Sequence, residues 1–294
     1  MQSKSIQCAI VAVALVVATV VDSAHAAQMP AGIAADDHAA GSGYRMIDAA
    51  RGAAIGFVTS LPDYVVTRIT TRYQGTRTLL FDLDDVVETW QKPAVDRWRP
   101  IDSVTADVAA EHGKEDYTNL KVNGRPVKVQ PPGMWSTGEF SSILLAILSP
   151  ETATQFSGER LDTIRGRQAY RYDYAIDQTH SAWRLSAGPF PGWAGVSRYT
   201  AGYGGAIWID SHTAQVQRIE MTARGLPKSF PLDRVQAATD YDFVKIGDHV
   251  YCLPTHSEAV NCQVFNNICW RNETAFRNYD KFGANTSITF DSPR

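Results

Sequence analysis

Along most of this chain, apolar and polar residues alternate with the period of two that is typical of half-buried β-strands. Residues 168–176 alternate, with three tyrosines and an isoleucine on one face and Arg171 and Asp173 on the other. Asn123-Gly124 separates two such segments and is a strong signal for a two-residue hairpin turn. Because about ten such segments follow one another with short turns between them, the sequence predicts an antiparallel sheet.

Two segments have helical periodicity instead. In residues 44–60, apolar residues recur at three- and four-residue spacing, and Leu61-Pro62 ends the pattern. In residues 139–148 the apolar residues also share one side, and Ser149-Pro150 ends the segment. The second helix is short and unusually apolar, so we expect it to rest on an apolar surface.

The number of strands and helices constrains the architecture. A sheet of so many strands has to curl, close or split, and two helices are too few to cover both faces of a flat sheet. The sequence predicts a mainly β (α+β) fold: a strongly curved antiparallel half-barrel sheet, with two or three short helices covering its concave face. We expect a single domain over residues 44–294; the alternative is two domains with a boundary in 131–135.

The first 26 residues have the layout of a secretory signal peptide. Lys4 supplies a positive start, an apolar run covers 8–21, and Ala24 and Ala26 occupy the −3 and −1 positions of a cleavage site. The run is shorter than the roughly 20 apolar residues of a membrane-spanning helix. We expect residues 1–26 to be removed and 27–43 to form a flexible lead-in. The mature protein is then exported, periplasmic or secreted, without a transmembrane segment.

Three cysteines remain after that cleavage. Cys262 and Cys269 flank Asn266-Asn267, and two strands folding back at this turn would bring the two sulfurs together. In an oxidising compartment this favours a Cys262–Cys269 disulfide, with Cys252 as a buried free thiol. Pairing of Cys252 with Cys262 is the alternative.

Charge and motifs argue against several function classes. The net charge is −3 and no basic block occurs, which argues against a nucleic-acid partner. His249, Cys252, His256 and Cys262 lack the paired spacing of a zinc site, so no metal and no cofactor is expected. Ser136 lacks the Gly-x-Ser-x-Gly context of a hydrolase nucleophile, and we expect Ser136 or Thr137 to cap the second helix.

The order of these parts resembles the LolA/LolB-like superfamily of periplasmic lipoprotein carriers. The similar elements are an N-terminal helix running into Leu61-Pro62-Asp63-Tyr64-Val65, the apolar helix at 139–148, and hairpins at 205–220 and 241–254. The resemblance implies a cavity for acyl chains that is roofed by helices, with polar groups that latch the lid. It implies a carrier rather than an enzyme.

We therefore expect an exported protein that holds a lipid, a lipoprotein acyl chain or another apolar ligand. The residues expected to line the cavity are Phe140, Leu144, Ile147 and Leu148 in the roof and Tyr170, Tyr172 and Tyr174 in the wall.

A protein-interaction module of the cell envelope, with a packed core and no cavity, is the second hypothesis. It is motivated by the aromatic segment 189–205, read as a long irregular loop carrying Trp193, Tyr199 and Tyr203. A hydrolase is the third. A hollow interior favours the carrier, and a filled interior favours the module.

Overall fold

The computed structural model describes residues 44–77, 93, 95–111, 114–131, 133–140, 142–190 and 195–281, together with the backbone of 11–15. The predicted lead-in 27–43 and all of the predicted signal peptide except 11–15 lie outside these residues, as does Trp193. Within the described part of the chain, no helix has the length and apolar character needed to cross a membrane.

Strands dominate the described residues. The helices are α1 (Arg45–Ser60) and α2 (Ser142–Leu148), and single 3-10 turns occur at Pro150–Thr152 and Gln178–His180. The strands are β1 (Val11–Leu15), β2 (Tyr64–Thr76), β3 (Arg99–Glu111), β4 (Lys114–Val122), β5 (Arg125–Pro126), β6 (Met134–Ser136), β7 (Gln155–Ile164), β8 (Arg167–Ile176), β9 (Trp183–Ala187), β10 (Ser197–Thr200), β11 (Gly202–Asp210), β12 (Val216–Arg224), β13 (Leu232–Ile246), β14 (His249–Gln263) and β15 (Ile268–Lys281).

Eleven of these strands form one sheet, in the order β5-β4-β3-β2-β15-β14-β13-β12-β11-β8-β7. Every neighbouring pair in it is antiparallel. Its two edges, β5 and β7, are not paired with each other, so the sheet is open. The predicted fold class, a curved antiparallel half-barrel with a few short helices, is confirmed.

The hairpin turns form where their residues tolerate positive φ. Asn123 and Gly124 have φ of 49° and 78°, as both central residues of a type I′ turn require. Asn267, at the turn between β14 and β15, has φ of 55°. That turn places Cys262 directly opposite Cys269, and the two form a disulfide. Cys252 is free and buried, so the predicted pairing is confirmed.

A second sheet of four strands has the order β10-β9-β1-β6. Trp183 and Leu185 of β9 belong to the same buried core as Tyr203 of β11, and the Trp183 and Tyr203 rings lie 5.4 Å apart. The small sheet therefore packs on the same face of the large sheet as the two helices.

Three local predictions from the sequence differ from the structure. The segment 189–205 is not one irregular loop, because 197–200 and 202–205 lie in β10 and β11. Helix α2 begins at Ser142 rather than at Glu139, because Glu139 and Phe140 form a turn after Gly138, whose φ is 93°. Ser136 makes contacts other than the helix cap expected from the sequence, as described below.

Candidate ligand site and the closed lid

Helix α2 and the turn before it form a lid on the concave face of the large sheet. Five of the seven residues of α2 are buried. The ring of Phe140 packs edge-on against Tyr64 of β2 at 5.9 Å and against Phe276 of β15 at 5.1 Å. The helix is apolar because most of its residues are buried in the interior.

The structure brings the predicted roof and wall residues into one core. Phe140, Leu144, Ile147, Leu148, Tyr172 and Tyr174 are all buried members of the main hydrophobic cluster, and Tyr170 is partly buried against it. Strand β8 places its tyrosines there because alternate residues of a strand share a face. Their role in binding a ligand remains a prediction.

The two buried tyrosine hydroxyls of the wall already have partners. Tyr172 donates a hydrogen bond to Glu159 Oε2 at 2.6 Å, and Tyr174 donates to the carbonyl oxygen of Glu220 at 2.8 Å. Burial raises the pKa of both hydroxyls, so both stay protonated at neutral pH. In this state the wall is held by internal contacts.

Little empty space remains beneath the lid. The cavity there has a volume of about 20 Å³, which is room for a single water-sized group. It is lined by Ser136, Thr137, Glu139, Ile143, Trp183, Met221, Ala237, Ala238, Thr239, Ser257, Glu258 and Ala259. The roof residues and the two buried wall tyrosines are each at most 6% exposed. The interior is therefore filled beside these residues in this structure.

A larger cleft of about 300 Å³ lies at the start of α1. It is lined by Arg45 and Met46 of α1, Glu159 of β7, and Tyr170 and Tyr172 of β8. Two of the predicted wall residues thus face a space that is open to solvent, at the side where β7 ends the sheet.

The concave face changes from polar to apolar across the sheet. One row of directly paired residues runs from β2 to β8 through Thr70, Thr274, Ser257, Thr239, Ile219, Ile207 and Tyr172. All seven are buried, and the hydroxyl oxygens of Thr70 and Thr274 are 2.8 Å apart. The hydroxyl-bearing half lies beside β2, and the apolar half lies beside β8.

A buried ion pair joins the polar half of the sheet to the lid. Arg68 of β2 donates from Nη2 to Glu139 Oε1 at 3.2 Å and to Ser136 Oγ at 3.0 Å. Ser136 in turn donates to Glu139 Oε1 at 2.7 Å. It does not cap α2, because it lies in β6 and the helix begins only at Ser142. The guanidinium also stacks 4.7 Å from the ring centre of Trp135. We call Arg68, Ser136 and Glu139 the lid tie.

The lid tie is almost completely removed from water. Arg68 is 2% exposed and Glu139 is 3% exposed. Among the described residues, Arg68 Nε and Nη1 and Glu139 Oε2 are buried and have no hydrogen-bond partner. Tyr241 of β13 adds one further bond, from its hydroxyl to the carbonyl oxygen of Glu139 at 3.0 Å.

A second carboxyl group lies beside the lid tie. Glu115 of β4 accepts a hydrogen bond from the Tyr117 hydroxyl at 2.6 Å and a longer one from the Gly138 backbone N–H at 3.4 Å. Burial, and then the nearby charge of Glu139, raise the pKa of Glu115 to about 7, although these two hydrogen bonds and Arg68 act in the opposite direction. Glu115 therefore changes its charge near neutral pH.

Sequence reasoning did not identify the lid tie. The signal that could have found it is the phase of β2, in which Arg68 and Arg72 occupy the same alternate positions as the buried Tyr64 and Val66. A charged residue in phase with core positions requires a buried partner. The pattern identifies the arginine, but the partner comes from a distant segment.

Two further kinds of site can be assessed among the described residues: a metal site and a reactive thiol. Among the described residues, no group of His, Cys, Asp and Glu side chains is arranged to hold a metal ion. The Cys252 thiol is buried, and this burial raises its pKa to about 12, which keeps it protonated and unreactive at neutral pH.

Comparison with known proteins gives matches only at the level of structure. No family model and no curated protein matches this chain. The structure is similar to an outer membrane lipoprotein-sorting protein domain from Vibrio parahaemolyticus, with 11% identity, a TM-score of 0.35, and coverage of 82% of this chain and 93% of that one. It is also similar to a DUF1329 family protein from Desulfovibrio piger, with 9% identity, a TM-score of 0.30, and coverage of 83% and 95%.

Both identities and both TM-scores are low. The function is therefore inferred below from the contacts of this chain's own residues.

Proposed function

We propose that this protein is an exported carrier that holds a lipid, a lipoprotein acyl chain or another apolar ligand between the lid and the concave face of its sheet. The observation that carries the proposal is the lid tie, in which Arg68 of the sheet forms a buried ion pair with Glu139 of the lid and donates a hydrogen bond to Ser136 of β6. The structure then shows the lid in its closed position.

The energetic cost of the lid tie supports a lid that opens. Removing both charges from water costs several kcal/mol per ion, and an apolar pair of similar size is often equally stabilising or better. The unpartnered atoms of Arg68 and Glu139 increase that cost. A core that only needed to be packed gains little from this arrangement. A lid that must close in one position and open again gains a specific, reversible contact.

Contacts at the far end of α2 are suited to a hinge. Arg51 of α1 donates to the carbonyl oxygen of Leu148 at 2.9 Å, and Thr154 donates to the carbonyl oxygen of Ile147 at 2.7 Å. Both contacts satisfy carbonyl groups that the helix end leaves free. Releasing the lid tie while keeping these two contacts would swing the lid away from β2 and expose the apolar row beneath.

The filled interior determines how a ligand would enter. A cavity of about 20 Å³ accepts no acyl chain, so the ligand enters only when the lid moves. An acyl chain would bury its own apolar surface against the lid and sheet surfaces that opening exposes. This burial contributes about 0.8 kcal/mol of favourable free energy per CH₂ group.

Native mass spectrometry of the exported protein, purified without detergent, tests the proposal. We expect additional masses corresponding to bound lipid, and the loss of these masses after extraction with organic solvent. If protein from several preparations is always free of lipid, and added fatty acid does not bind, the carrier function is wrong.

The filled interior favours the interaction module as a second candidate. Residues 189–205 are less suited to be its contact surface than the sequence suggests. Tyr203 is buried, and the Tyr199 hydroxyl donates to the carbonyl oxygen of Gly225 at 2.7 Å. Deletion of 191–194 separates the two candidates: a module loses its protein partner in a pull-down, whereas a carrier retains its lipid.

A further inference from the structure

The centre of the small sheet is occupied by a strand that the sequence predicts to be absent from the mature protein. Strand β1 pairs in parallel with β6 through Val11, Ala12 and Val13, opposite Met134, Trp135 and Ser136. On its other side it is antiparallel to β9. Cleavage after Ala26 would remove β1 and leave a gap between β6 and β9.

The gap has the dimensions of one strand. Neighbouring strands lie about 4.8 Å apart, so β6 and β9 are separated by roughly 10 Å across β1. The walls are β6, which carries Ser136 of the lid tie, and β9, whose Trp183 and Leu185 are buried in the main core. We call this gap the strand slot.

The chemistry of the slot favours a peptide over a hydrocarbon. Removing β1 leaves backbone N–H and C=O groups of β6 and β9 without partners on the two facing edges. Buried backbone groups require hydrogen-bond partners, and an acyl chain supplies none. An extended peptide supplies both donors and acceptors to the two edges at once, as in those β-strand additions in which a segment inserts between two strands.

We propose that the strand slot of the mature protein binds an extended, apolar peptide segment of a partner protein as an added β-strand. The register of β1 defines the requirement: apolar residues at the positions that pair with Leu185 and Trp183, where Val13 and Leu15 stand. The proposal does not depend on the carrier function, since the lid tie is formed by side chains and the slot edges are formed by backbone groups.

The experiment uses the exported mature protein and a synthetic peptide. Intact-mass measurement first establishes the cleavage site, and circular dichroism establishes that the mature protein is folded. The peptide contains residues 9–17, flanked by lysines for solubility. We expect it to bind, and we expect the same peptide with Val13→Pro to bind at least about tenfold more weakly, because Val13 pairs with both edges and proline has no N–H.

Cross-linking tests the register. Ala12 pairs with Ser186, and Ala14 pairs with Arg184. A peptide carrying Ala12→Cys should form a disulfide with a Ser186→Cys protein, and a peptide carrying Ala14→Cys should do so with an Arg184→Cys protein. The two mismatched combinations should react at least about tenfold less, since a strand pairs in one register where one face is buried.

Several results would overturn the proposal. It is wrong if the exported protein retains residues 11–15, if the proline peptide binds as well as its parent, or if matched and mismatched cysteines react equally. It is also wrong if palmitic acid, and not the peptide, protects the Ser186→Cys thiol from maleimide, because the slot then binds a hydrocarbon chain. Failure of lipid to bind in the earlier experiment leaves this result unaffected.

Discussion

Arg68 and Arg72 lie four residues apart on the same buried face of β2, and they pair with different parts of the fold. Arg72 donates to both carboxylate oxygens of Asp102 on the neighbouring strand β3, at 2.6 and 2.5 Å. Arg68 instead pairs with Glu139, 71 residues away in the lid. One arginine therefore joins two strands, and the other joins the sheet to the lid.

This difference provides a matched pair of variants. We expect Arg68→Met to increase hydrogen–deuterium exchange of residues 138–148, because the lid loses its tie, and to speed the uptake of an apolar fluorescent probe. Arg72→Met should destabilise the β2–β3 pair without raising probe uptake. Equal effects of the two variants on lid exchange would contradict a specific role for Arg68.

The pKa of Glu115 predicts a pH dependence of stability. The pKa is raised from 4.5 to about 7 in the folded protein, so the folded state retains its proton over this range while the unfolded state loses it. The contribution of Glu115 to the free energy of unfolding is therefore fully present below pH 4.5 and is lost as the pH rises through about 7. The whole contribution is about 3 kcal/mol.

Urea unfolding measured at intervals from pH 4.5 to 8 checks this prediction. Glu115→Gln should flatten the decline in the free energy of unfolding, because glutamine remains neutral throughout. The exposed Glu151 serves as the control, and Glu151→Gln should preserve the slope. A slope that is identical in the wild type and in Glu115→Gln would assign the pH dependence to another group.

The burial pattern of α2 predicts that substitutions at two nearby helix positions lower stability by different amounts. Ile147 is fully buried in the main hydrophobic cluster, whereas Leu145 is only partly buried. We expect Ile147→Ala to lower the free energy of unfolding by about 2–5 kcal/mol and Leu145→Ala by about 1 kcal/mol, in urea titrations. Similar losses at both positions would mean that α2 does not present this face to the core.

The disulfide should contribute moderately to stability. Cys262 and Cys269 close a short loop, and the entropy of closing a loop of this length corresponds to roughly 2 kcal/mol. We expect a reducing agent to lower the urea midpoint of the wild type and of Cys252→Ala equally. The double variant Cys262→Ser, Cys269→Ser should begin at the lowered midpoint and show no further response to reductant.

Features set by local sequence were predictable. Alternation defined β8, and Asn123-Gly124 defined a tight hairpin, because each depends on neighbouring residues alone. The Cys262–Cys269 pairing followed from a turn only a few residues long. In 189–205, by contrast, glycine, proline and aromatic residues indicated a loop, and pairing with β9 and β12 produced strands instead.

The sequence by itself determined the class of fold, since the succession of short amphipathic strands with few helices permits little except a curved antiparallel sheet. Only the tertiary structure decided which groups meet inside it. Periodicity assigns Arg68 to the buried face of β2, but Glu139 reaches it through the folding of the whole intervening chain. The filled interior was likewise undetermined by pattern, because the space beneath a lid depends on how side chains from many strands pack together.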